Sequence, residues 1–112
     1  MTVQVSTVIG WLEQFAPQEL AVEGDRIGLQ IGSAQQSVDK VLITLDVTRE
    51  VVDEAIQVGA KLIIAHHPPL YHPLRAINTQ TAQGDLIATL IKHDIAVYAI
   101  HTNLDIARGG LN

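Results

Sequence analysis

The chain contains no cysteine, which excludes disulfides and thiolate metal sites together. Charge is scarce as well. Only 17% of its 112 residues are charged, while 47% are hydrophobic; ordinary globular domains carry about 25% charged residues. The shortage predicts that some apolar surface is covered by something beyond these residues. Seven basic residues against twelve acidic ones leave a formal net charge of -5. That balance argues against nucleic acid as a partner, because phosphate binding needs clustered Lys and Arg. No apolar run approaches the roughly 20 residues of a membrane span. The start, Met1 to Val5, has neither the basic stretch nor the apolar core of a secretion signal. The expectation is a cytoplasmic protein with no membrane partner.

What is present reads as one small domain. Thr7 to Phe15 is predicted as a helix, with Val8, Leu12 and Phe15 on one stripe, Ser6 as its cap and Pro17 as its stop. Ile27 to Ile31 is a short strand candidate, and Val38 to Leu45 a stronger one. Thr48 is placed to cap a second helix, whose stripe is Val51, Val52, Ala55 and Ile56 and whose stop is Gly59. Leu62 to Ala65 is a fully apolar strand, followed by a proline-rich loop from His66 to Pro73. A third helix is predicted over Ala82 to His93, with Gly84 weakening its first turn, and a last strand over Ile95 to Ile100. Strand–helix alternation with unbroken apolar strands implies an α/β fold: a three-layer unit with a mainly parallel sheet and helices on both faces.

In a parallel sheet all strands end on one edge, and ligands bind in the crevice outside it. Three successive strands here end in polar residues: the first at Asp46, the second at His66-His67, and the third at His101 with Asp105 a short loop later. Imidazole and carboxylate together suit zinc, manganese, iron or nickel better than calcium, which takes oxygen ligands. Adjacent histidines on a regular strand would point to opposite faces. They serve one site only where the strand has ended, or else they feed two metals a few ångströms apart. Asp105 could bridge two cations. Simpler readings exist for other residues. Asp46 could merely hold backbone amides in the turn before Thr48, His93 suits a helix C-terminus, and His72 suits a rim. Gly24 and Gly28 do not form a dinucleotide fingerprint, since the spacing is wrong and no helix follows.

At these positions the chain resembles the Nif-three-like family, whose members are commonly labelled GTP cyclohydrolase I type 2. The matching segments are Gly28-Leu29-Gln30-Ile31-Gly32, Leu45-Asp46-Val47-Thr48, and Ile64-Ala65-His66-His67-Pro68-Pro69-Leu70-Tyr71. Pro73-Leu74-Arg75 follows, and then His101-Thr102-Asn103-Leu104-Asp105 running into Gly109-Gly110-Leu111-Asn112. The resemblance implies two divalent metal ions with His66, His67 and Asp105 as ligands, and His101 and Asp46 in supporting roles. It implies a homo-oligomer, commonly a hexameric ring. It also implies that residues 1–112 form the N-terminal lobe of a longer fold, whose absent second, C-terminal lobe supplies a late His and Glu to the same metals. Two departures stand out: Gly24-Asp25-Arg26 replaces the family's usual Trp-Asp-Asn, and Arg75 stands where Lys is common.

The expected function is a metal-dependent hydrolase with the cyclohydrolase-like label. Its dinuclear site would activate water toward a small molecule such as a nucleotide, with His101 as general acid or base. The alternative is a metal-containing regulatory or binding protein without turnover.

Overall fold

The strand Leu62-Ile63-Ile64-Ala65 is buried along its whole length, and the rest of the fold is arranged around it. The computed structural model describes residues 2–15 and 27–100. Its elements run β1 (Val3–Gln4), α1 (Val5–Phe15), β2 (Gly28–Ile31), β3 (Ser37–Val38), β4 (Val41–Thr44), α2 (Arg49–Val58), β5 (Leu62–Ala65), α3 (Ala82–Lys92) and β6 (Ala96–Ala99). The main sheet has the order β2-β6-β5-β4. The β4–β5 and β5–β6 pairs are parallel, with Val41 opposite Leu62 and Leu62 opposite Ala96. The β2–β6 pair is antiparallel.

Alternation along the central strands sends side chains into two cores. On one face Leu62, Ile64, Ala96 and Tyr98 pack with Val5 and Val8 of α1. On the other, Ile63 and Val97 pack with Val52 and Ala55 of α2 and with Ile87 and Leu90 of α3. Helices therefore cover both faces, which is the three-layer arrangement expected for strands with no polar face. Each fully buried Leu or Ile contributes about 1.5–3 kcal/mol relative to exposure.

The helix ends follow their local chemistry. The Thr48 side chain accepts from the Val51 amide, and Gly59 closes α2 at φ 78°, a left-handed conformation that glycine adopts without strain. Thr81 caps α3 by accepting from the Gly84 amide at 3.0 Å.

Three sequence expectations need correction. The strand expected over 38–45 is two strands: Val38 leaves the main sheet to pair with Val3 in a separate antiparallel β1–β3 ribbon, and β4 begins only at Val41. The reason is burial, since Val38 joins Val5 in the α1 core while Asp39 and Lys40 turn outward. Helix α1 starts at Val5, so Ser6 lies inside it. Its first amides are satisfied by tertiary contacts instead of a side-chain cap: Val5 donates to the Gln36 carbonyl at 2.9 Å and Ser6 to that of Ala34 at 2.8 Å. Gly84 is a requirement of α3 and not a weakness, because a Cβ there would overlap the Asn78 carbonyl. Pro17 lies outside the described residues.

Helix α1 covers β5 and β6 but leaves β4 open. Ile43 is 77% exposed and Leu45 59%, and Trp11 and Phe15 of α1 are also exposed. Phe15, Ile43 and Leu45 thus share one patch of uncovered apolar surface. A cavity of about 400 Å³ lies there, walled by Leu12, Phe15, Ile43, Leu45 and Ile64, with His66 on its lining.

Candidate metal centre

The double histidine sits immediately past the end of β5. Because the strand stops at Ala65, His66 and His67 escape the alternation that would send them to opposite faces. Their rings lie side by side, centroids 5.1 Å apart and inclined at 61°. The backbone stays tied past the regular ladder: the His66 amide donates to the Thr44 carbonyl at 3.1 Å and the His67 amide to that of Leu45 at 2.8 Å. The turn is thereby tied to the segment that carries Asp46. On the other side the Ile100 amide donates to the Ala65 carbonyl at 2.9 Å, so the end of β6 stands at the same carboxyl edge.

Asp46 and His67 meet across that edge, with Oδ1 2.7 Å from Nδ1. An ionised carboxylate only accepts. Nδ1 is then the protonated nitrogen and Nε2 carries the lone pair that can ligate a metal. A carboxylate that orients an imidazole in this way is the usual outer partner of a metal-binding histidine. Both side chains are about half exposed, so the pair adds little to stability; its effect is to fix tautomer and ring orientation. The plainer reading of Asp46, as a holder of turn amides, does not describe its carboxylate. The turn is shaped instead by the Thr44 hydroxyl, which donates to the Asp46 carbonyl at 2.9 Å.

Gln30 of β2 completes the surroundings. Its side-chain amide donates to the Leu70 carbonyl at 2.9 Å and accepts from the Leu70 amide at 3.0 Å. Sequence reasoning passed over this residue, although a lone glutamine in the run Gly28-Leu29-Gln30-Ile31 was the signal available.

Of the expected site residues, His66 and His67 are brought together, with Asp46 beside them. Asp105 and His101 lie outside the described residues. Among the described residues no three His, Asp or Glu side chains converge as a complete metal set. The donor chemistry nonetheless fits a divalent ion: two imidazoles at one strand end, one of them held in its ligating tautomer by a carboxylate. His72 stacks edge-on against Tyr71 in the exposed part of the loop. His93 ends α3, with Nδ1 2.9 Å from the Thr89 carbonyl. No described helix is long and apolar enough to cross a membrane.

Comparison with known proteins agrees with this fold. The family model described as Duf34/NIF3 (NGG1p interacting factor 3) matches residues 3–112. A Listeria innocua protein named "GTP cyclohydrolase 1 type 2 homolog" is 60% identical over 101 residues, covering 90% of this chain and 27% of its own length. The crystal structure of a Bacillus cereus protein related to NIF3 superposes with a TM-score of 0.93 at 56% identity, covering 96% of this chain and 30% of that one. Reduced HcgD from Methanocaldococcus jannaschii gives a TM-score of 0.93 at 36% identity, covering all of this chain and 45% of that one. The chain spans between about a quarter and two-fifths of the length of the curated relatives it matches. It belongs to the DUF34/NIF3 family.

Proposed function

We propose that this stretch of a DUF34/NIF3 chain carries part of a dinuclear divalent-metal site in a metal-dependent hydrolase, with His66, His67 and Asp105 as ligands. The observation that carries the reading is the 2.7 Å contact between Asp46 and His67 at the carboxyl edge of the sheet, with His66 beside it. The relatives' shared name, "GTP cyclohydrolase 1 type 2 homolog", supports a nucleotide or similar small molecule as substrate. When bound, two divalent ions of the zinc, manganese, iron or nickel type would generate a nucleophilic water and polarise a C=N, carbonyl or phosphoryl group.

The chain's own residues have separate tasks in this proposal. His66 and His67 present imidazole nitrogens from a turn lashed to the β4 end. Asp46 holds the His67 tautomer. His101 moves a proton at the cleft without being a primary ligand. A second lobe, of the kind the longer relatives have room for, supplies the remaining ligands, and the whole assembles as a cytoplasmic homo-oligomer, a hexameric ring.

The test is turnover by the metal-loaded full-length protein across nucleoside triphosphates and phosphoesters. The expected result is hydrolysis that a chelator abolishes and added metal restores. Stoichiometric metal with no turnover on any substrate would favour a regulatory or ligand-holding protein. Elemental analysis finding no metal would overturn both readings.

A further inference from the structure

We infer that Gln30 is a positioning residue for the double-histidine turn; this rests on the metal-site reading above. Strand β2 pairs irregularly with β6: Leu29 stands opposite Tyr98 and Ile31 opposite Val97, so two steps along β2 match one along β6. Gln30 is the extra residue. A bulge of this kind turns one side chain away from the regular alternation, and here the chain turned is the part-buried Gln30, which reaches a residue 40 positions ahead.

The contact has the form of a peptide group pairing with a strand. The Gln30 amide supplies both a donor and an acceptor, and Leu70 uses both of its backbone groups on it, at 2.9 and 3.0 Å. The choice of Leu70 follows from the sequence. Pro68 and Pro69 have no amide hydrogen, so Leu70 is the first residue after His67 that offers both backbone groups. The turn is then held at each end: at His66 and His67 by the Thr44 and Leu45 carbonyls, and at Leu70 by Gln30. Between them lie only two prolines of fixed φ. Ligands must be held to about 0.5 Å for a site to work, and Gln30 supplies the second of the two anchors that do so.

The experiment uses the full-length chain and zinc alone, with affinity read by competition against a chromophoric chelator. Gln30→Met keeps the length and removes both hydrogen bonds. Gln30→Glu keeps the acceptor and sets a carboxylate oxygen against the Leu70 carbonyl. Ile95→Val is the control, a buried core variant just before β6, at the edge of the sheet opposite the turn. The expected result is a 10–100-fold loss of zinc affinity in Gln30→Met, a comparable loss in Gln30→Glu, and none in Ile95→Val. Equal losses in Gln30→Met and Ile95→Val, or no loss in Gln30→Met, would overturn the inference. If the parent chain binds no zinc, the metal-site reading falls by itself, and amide exchange decides the role of Gln30. Lost protection at Leu70 that extends to His66 and His67 supports positioning; loss confined to Leu70 overturns it.

Discussion

The Asp46 carboxylate lies 2.7 Å from Nδ1 of His67, and the two residues come from the ends of neighbouring parallel strands. Removing the carboxylate should leave the fold intact, because both side chains are half exposed. It should also release the ring to either tautomer. Asp46→Ala in the full-length protein is expected to lose about 10–100-fold in zinc affinity with little change in thermal unfolding. Unchanged affinity would remove Asp46 from the site.

His66→Ala and His67→Ala are expected to lower bound metal, measured by elemental analysis after gel filtration. Both residues follow the last position of β5, and neither belongs to the two cores. The circular dichroism spectrum should therefore stay that of the parent. Full metal content in both variants would contradict the ligand assignment.

Gly84→Ala is expected to destabilise the chain despite the better helix propensity of alanine, which favours it by about 1 kcal/mol. The new methyl would overlap the Asn78 carbonyl. That carbonyl is held in place by the Thr81 amide at 3.0 Å and the Thr81 hydroxyl at 2.7 Å. Overpacking of this kind costs about 1–3 kcal/mol, and a lower midpoint in urea would register it. A raised midpoint would mean that the turn yields easily.

Leu90→Ala tests the core beneath α2 and α3. Leu90 is fully buried with Ile63, Val97 and Ile87, so truncation should cost about 2–5 kcal/mol. Ile91→Ala, one residue along and 56% exposed, should fall within about 0.5 kcal/mol of the parent. Chemical denaturation of both variants checks the contrast.

His101→Ala in the full-length protein is expected to slow turnover while keeping the metals, if His101 moves a proton without ligating. Steady-state assay beside elemental analysis separates the two effects. Equal turnover would remove its catalytic role, and lost metal would make it a ligand.

Much of this was written in the chain order. Unbroken apolar runs at 62–65 and 96–99 are buried on both faces and parallel, because a strand with no polar side has to be covered on both. The caps at Thr48 and Gly59 were equally local, since each depends on one side chain or one φ angle. The gathering of Asp46 and the two histidines at a common edge followed from strand polarity alone. Tertiary structure decided the rest. It drew Val38 out of the strand predicted for it, since burial beside Val5 outweighed continuity with Val41. It capped α1 with carbonyls from residues 34 and 36, which no nearby side chain announced. It made Gly84 necessary through the position of Asn78. It also joined Gln30 to Leu70 across 40 residues. Periodicity and capping act over a few residues and can be read from neighbours, whereas packing and hydrogen bonds between distant segments exist only once the sheet has brought those segments together.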